Sequence, residues 1–172
     1  MILTGKEIKK QVMQGKINID PFVEKHLNPN SYNYRLGDYI TIVDNETSLG
    51  SVVGSKSVLI LIPEEGFLLD PGKVYLGSTY ETIGSHHYVT SLIGRSSVGR
   101  LGLFLQISAD LGNLGPAHCW TLELTCVQPI KVYPRMIIGQ VSFWKPLGEI
   151  KHYRGNYTSF DRPQNCLYQN LK

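Results

Sequence analysis

From Val58 onward the chain is cut into short apolar runs by glycine, proline and aspartate, and this punctuation constrains the fold more than any other feature. The run over 58–62 stops at Pro63, 67–69 stops at Asp70-Pro71-Gly72, and 74–82 ends before a turn expected over 84–87. Further runs cover 101–109, 119–127, 130–133 and 137–144, with a tight turn expected at Pro134-Arg135. Many short strands separated by Gly/Pro turns give an all-β sandwich, jelly roll or barrel. One helix is expected ahead of them, over residues 4–14. Thr4 and Glu7 have the spacing of a capping box, Ile8 and Val12 share a face, and Gly15 is a stop signal. Residues 17–22 read as a short extended piece, 28–31 as a turn, and 32–42 as an aromatic-rich strand broken near Gly37-Asp38. Residues 44–56 read as a loop or hairpin tip. The stretch from about 145 to 172 is too polar to build a core of its own, and reads as an extended tail that docks on a neighbour or closes over a ligand. At 172 residues the whole forms one domain.

One ten-residue segment departs from this simple alternation. Gly94-Arg95-Ser96-Ser97-Val98-Gly99-Arg100-Leu101-Gly102-Leu103 places two arginines and two serines among three glycines, between apolar runs. Glycine lets backbone approach a ligand closely, and arginine offers a planar fork of donors matched to phosphate or carboxylate. The segment reads as a cradle for a polyanion; a basic surface loop is the plainer alternative. Net charge is only +3 and no lysine or arginine run occurs, so a small anion fits better than a nucleic acid. The composition, 42% hydrophobic and 18% charged, is that of a folded globular chain. No signal peptide or membrane-length apolar segment is visible, so a cytoplasmic location is expected.

Glu123 lies within the apolar run Trp120-Thr121-Leu122-Glu123-Leu124. Alternation alone puts Thr121, Glu123 and Thr125 on one face of a half-solvated strand. If that face lines a pocket, a desolvated carboxylate there would suit proton shuttling. The chain has no metal motif: Cys119, Cys126 and Cys166 form no CxxC pair, His86 and His87 are adjacent, and H-x-E with P-C-x-x-C is absent. No protein-bound cofactor is expected. A magnesium ion carried by a nucleoside triphosphate would leave no motif.

Taken together, these segments resemble the dCTP deaminases of the trimeric dUTPase-like superfamily. The resemblance rests on Gly94 to Leu103, on Asn28-Pro29-Asn30-Ser31-Tyr32-Asn33-Tyr34-Arg35-Leu36-Gly37, and on Leu69-Asp70-Pro71-Gly72 with Gly77-Ser78-Thr79-Tyr80-Glu81. Thr121-Leu122-Glu123-Leu124 and Pro129-Ile130 with Tyr133-Pro134-Arg135-Met136-Ile137-Ile138-Gly139-Gln140 complete it, in order along the chain. It implies a distorted β-barrel or jelly roll, a homotrimer with sites between subunits, and metal-free deamination of dCTP to dUTP and ammonia in dUTP/dTTP supply. By the same resemblance Glu123 is the proton shuttle, Ser96 and the backbone at Ala109 hold the attacking water, and Arg100 orients Glu123 or stabilises the adduct. Arg95, Ser96 and Ser97 meet the phosphates, Thr121 and Leu122 offer backbone to the base, and Asn113, Tyr153 and Asn156 lie against the nucleotide.

The chain departs from the pattern where ligand would be met. The family's D-P-G-aromatic turn reads Asn113-Leu114-Gly115-Pro116-Ala117-His118, and the tail's Lys-Tyr reads Asn156-Tyr157 followed by Phe160. Asn113 can hydrogen-bond a sugar hydroxyl but cannot act as a base on water for pyrophosphate release. Asn33 and Arg135 likewise replace an Asp and a Gly. The alternatives that follow are a bifunctional deaminase and dUTPase, a dUTPase-like pyrophosphatase, an altered cytosine nucleotide substrate, or a non-catalytic nucleotide-binding regulator; dUTP and dTTP are the further ligands to expect beside dCTP. A β-sandwich adhesion module is the alternative from another class.

Overall fold

The computed structural model describes residues 1–43, 57–106, 108–157 and 159–164. The loop expected over 44–56 lies outside the described residues. Helix α1 (Gly5–Met13) is capped by Thr4, whose hydroxyl accepts from Glu7 N at 3.4 Å, and it ends where Gly15 takes φ +69. The capping box is half made: the Glu7 carboxylate accepts from Gln11 Nε2 instead of returning to the cap. Strands follow as β1 (Asn18–Asp20), β2 (Tyr32–Arg35), β3 (Tyr39–Ile42), β4 (Val58–Leu61), β5 (Phe67–Leu69), β6 (Tyr75–Ser78), β7 (Thr82–Ser85) and β8 (Val89–Gly94). A single helical turn, α2 (Ser96–Gly99), precedes β9 (Leu103–Leu105), β10 (Gly115–His118), β11 (Thr121–Cys126), β12 (Ile130–Val132) and β13 (Ile137–Trp144).

Every pairing is antiparallel. The sheets run β4-β3-β6-β11-β9, β2-β13-β8, β1-β7-β10 and β5-β12. This is the mainly β, jelly-roll type of architecture, with β2 and β13 joining opposite ends of the chain: Ile137 pairs with Arg35 and Gly139 with Tyr34. No sheet closes on itself among the described residues. The core collects the inward faces, and Ile8, Tyr32, Tyr34, Leu36, Leu122, Leu124 and Phe143 are fully buried. Tyr34 shows why Gly139 is required. A Cβ at Gly139 would lie 2.0 Å from the Tyr34 ring, which the sheet presses flat over that backbone.

Four elements differ from the sequence reading. The turn expected over 84–87 begins later, because Thr82–Ser85 is strand β7 and pairs with β1. Residues 115–118, read as a turn, form β10 against β7, with Gly84 letting the Ala117 backbone in: a Cβ there would meet Ala117 Cα at 2.5 Å. The cradle contains α2 rather than pure loop. The strand expected over 101–109 is shortened at both ends by positive φ, at Gly102 (+86) and Gln106 (+50).

The motif residues outside the cradle hold the frame. Glu81 is fully buried, and its two carboxylate oxygens accept from Arg35 N at 2.8 Å and Arg35 Nε at 2.7 Å. Thr79 Oγ1 donates to Glu81 O at 2.7 Å and accepts from Trp120 N at 2.9 Å. The β6–β7 corner is thereby tied to the entry of β11, the strand that carries Glu123.

Candidate active site

Two groups of site residues are built by adjoining elements. In the first, β8 delivers the chain to Gly94 and α2 turns it at once. Val98 N and Gly99 N bond Arg95 O, and Arg100 N bonds Ser96 O, at 2.9–3.0 Å. Ser96, Ser97 and Arg100 are exposed and Arg95 is half-buried. None of the ion pairs among the described residues uses Arg95 or Arg100, so both guanidinium groups are open to an anion. A cavity of about 240 Å³ lies beside them, lined by Gly94, Arg95, Ser96, Gly99 and residues 103–105. The lining combines the apolar residues of β9 with Arg95 and Ser96; Ser97 and Arg100 are not part of it.

The second group sits on β11 and the loop that leads to it. Burial along β11 alternates strictly: Leu122, Leu124 and Cys126 face the core, while Thr121, Glu123 and Thr125 are half-buried on the outer face. Strand β9 pairs with β11 only as far as Leu105 opposite Leu124. Beyond that point the β9 side of Glu123 is taken by Gln106, and no strand among the described residues covers the β9 side of Thr121, which leaves its backbone groups for a ligand. Leu122 is not brought to this edge: its side chain is in the core and its backbone pairs with Gly77 of β6. The loop ahead of β10 is pinned along β8, with Leu92 N donating to Asp110 O and Gly112 N to Thr90 O, both at 2.8 Å. Gly112 is held so close that a Cβ would lie 2.2 Å from Thr90 Oγ1 and 2.4 Å from the Trp120 ring. Asn113 follows, exposed, with no side-chain hydrogen bond to a described residue. Ala109 is exposed, and its carbonyl accepts from Gln106 Nε2 at 3.2 Å.

The tail joins this second group. Tyr153 N donates to Leu114 O at 2.8 Å, Cys119 N to Phe160 O at 2.9 Å, and Gln164 N to Thr121 Oγ1 at 3.1 Å. Tyr153 is half-buried beside the 110–114 loop, and Asn156 is exposed three residues further on. His118 stacks on Trp120 with ring centroids 4.5 Å apart. Trp120 itself is structural, donating Nε1–H to Ile83 O. The two groups are not bonded to one another: no hydrogen bond between described residues joins the Glu123 carboxylate to Ser96 or Arg100, and Glu123 does not line the α2 cavity. Sequence reasoning missed Gln106, which bridges Glu123 and Ala109. Its residue type within an apolar run carried no signal. No cluster of His, Cys, Asp or Glu arranged to hold a metal occurs among the described residues, and no helix among them is long and apolar enough to cross a membrane.

With this geometry in view, comparison with known proteins is decisive. The family model for dCTP deaminase-like domains matches residues 2–146. The chain belongs to the dCTP deaminase-like family. A protein of Clostridium botulinum strain Eklund 17B named dCTP deaminase, dUMP-forming is 48% identical over 168 residues, covering 97% of this chain and 96% of its own length. One of the same name from Leptospira biflexa is 45% identical over 174 residues, covering 100% and 99%. Among solved structures, the 2′-deoxycytidine 5′-triphosphate deaminase of Agrobacterium tumefaciens superposes with a TM-score of 0.65 at 21% identity. That match covers 83% of this chain and 47% of the other, so the chain spans about half that protein's length, and the likeness is one of fold.

Proposed function

We propose that this member of the dCTP deaminase-like family deaminates dCTP and carries the product through to dUMP, releasing ammonia and pyrophosphate. What carries the reading is the 48% identity, over nearly all of both chains, with a relative named for forming dUMP. Those relatives move the expected product from dUTP to dUMP.

In the deamination, Ser96 and the carbonyl of Ala109 hold a water against C4 of the cytosine ring. Glu123 takes a proton from that water as its oxygen bonds to C4 and passes it to the ring nitrogen, then takes the second proton from the C4 hydroxyl and gives it to the leaving amine. The C4–N bond breaks, ammonia departs, and the carbonyl of uracil remains. A pre-placed base and water supply the positioning and proton transfer such a step needs. Arg100 stabilises the tetrahedral adduct. Arg95, Ser96 and Ser97 bind the phosphates by charge-assisted hydrogen bonds. Thr121 meets the base through the backbone edge that β9 leaves open, with Leu122 next to it paired to β6. Asn113, Tyr153 and Asn156 border the sugar and the phosphates. The only metal this reading calls for is magnesium travelling on the triphosphate. Because Glu123 and the α2 group are not bonded within one chain, the site is completed between copies of a homotrimer.

A second reading stops at dUTP. Asn113 favours it, since an exposed carboxamide cannot deprotonate the water that would attack the α-phosphate. Both are tested by incubating the protein with dCTP and measuring ammonia, dUTP, dUMP and pyrophosphate. Ammonia, dUMP and pyrophosphate in equal amounts are expected. Ammonia with accumulating dUTP selects the second reading. A melting shift with dCTP but no turnover would mark a non-catalytic binder and overturn both. Glu123→Gln is expected to lower ammonia release by about 10²–10⁴-fold, the usual contribution of a general acid–base.

A further inference from the structure

Gln106 is an anomaly on three counts. It is buried to 7% exposure, it holds a left-handed backbone (φ +50) that non-glycine residues rarely adopt, and both ends of its side chain are bonded. Its Oε1 accepts from Glu123 N at 2.7 Å, its Nε2 donates to Ala109 O at 3.2 Å, and its own N donates to Glu123 O at 3.2 Å. The partners fix the orientation of the amide, since a backbone N–H can only donate and a carbonyl can only accept.

The register explains what this achieves. Leu105 pairs with Leu124, so the next rung of the β9–β11 ladder is Gln106 opposite Glu123. One half of that rung is made normally, from Gln106 N to Glu123 O. The other half would need the Gln106 carbonyl, which the positive φ turns away. The side-chain Oε1 replaces it. Strand β9 therefore ends without leaving the Glu123 amide unpaired, and the chain is free to swing toward Ala109. The remaining arm, Nε2, then fixes the direction of the Ala109 carbonyl and leaves that oxygen a second lone pair for another donor.

We infer that Gln106 is a positioning residue, whose amide sets the distance and orientation between the strand that carries Glu123 and the Ala109 carbonyl that holds the attacking water. This rests on the deamination proposed above. Gln106 touches neither substrate nor water, and it acts through its two partners. The strained backbone is the cost of ending β9 at that rung.

The test separates the two arms. Q106M keeps the volume and removes both bonds. Q106E keeps the acceptor toward Glu123 N but sets a carboxylate against the Ala109 carbonyl, and only its protonated form can donate there. For Q106M, kcat for ammonia release from dCTP is expected to fall about 100-fold, the scale of a 1 Å misplacement, with KM unchanged. For Q106E, the ratio of variant to wild-type kcat is expected to climb as pH falls through titration of the new carboxyl. Glu123 on β11 and Asp110 on the loop are nearby carboxyl groups that both proteins share, so the effect is read as a ratio to wild type. A structural role alone would not produce that climb. Wild-type kcat in Q106M, or a ratio flat with pH in Q106E, would overturn the inference while wild-type ammonia release leaves the deaminase reading standing. A wild-type protein that releases no ammonia from dCTP overturns the deaminase reading and this one with it.

Discussion

Arg35 and Glu81 were legible as motif residues but not as a pair, because nothing in the sequence says that positions so far apart meet. The Glu81 carboxylate is fully buried, and the Arg35 side chain retains 19% exposure. Arg35 also lies over the Tyr80 ring at 4.6 Å, with Arg135 at 5.0 Å from the same ring and bonded to Asp38. A buried ion pair of this kind is weak evidence of net stabilisation, yet breaking it from one side strands a charge. Glu81→Gln is expected to cost about 3–5 kcal/mol. It would be read as a lower urea midpoint at unchanged slope. Removing both charges with R35M/E81L should cost less than the sum of the single changes, because the partner left behind carries most of the penalty. Glu123 was more legible, since its alternation with Thr121 and Thr125 placed it on the outer face where the structure has it. Gln106 was invisible for a physical reason. Its role depends on a backbone φ that sequence assigns to glycine, and on a side chain standing in for a carbonyl.

At the scale of elements, strands with strong apolar alternation were legible and those made of turn residues were not. β13 is an eight-residue apolar-rich run that alternates from Gly139 onward, and it was read to the residue. β10 consists of Gly115, Pro116, Ala117 and His118, a composition that reads as a turn. It becomes a strand only because Gly84 of β7 admits its backbone. The strand order was equally hidden, because pairing of β2 with β13 is decided by packing between the ends of the chain. Gly139 makes the packing requirement measurable. Its missing Cβ is occupied by the Tyr34 ring, whose hydroxyl is held by Ile93 O at 3.0 Å across the same sheet. The ring has no room to retreat into a filled core. Gly139→Ala is therefore expected to destabilise the fold by about 1–3 kcal/mol or more through overpacking. Calorimetric melting would show it, and a variant melting with the parent would mean that β13 can shift away from β2.

The whole molecule leaves two features unexplained if it acts alone. Large apolar side chains stand in solvent: Val58 and Leu61 at 59% and 61% exposure on β4, Leu111 at 70% before β10, and Val127 at 69% after β11. Exposed apolar side chains mark an interaction face where they form a contiguous patch. The α2 residues and the Glu123 face also form two separate groups within one chain. A homotrimer whose sites pair the α2 group of one copy with β11 of the next accounts for both. The protein is then expected to sediment at three times 19.3 kDa. The sharing of sites has its own test. E123Q and S96A are each expected to be inactive alone, since one lacks the proton shuttle and the other lacks the water-holding hydroxyl. Unfolded together and refolded, they form mixed trimers in which some sites take Glu123 from the S96A copy and Ser96 from the E123Q copy. Random assortment in a ring makes about one site in four intact, so about a quarter of wild-type ammonia release should return. If each site is built within one chain, every site in the mixture keeps one defect, and no activity returns although the trimers form.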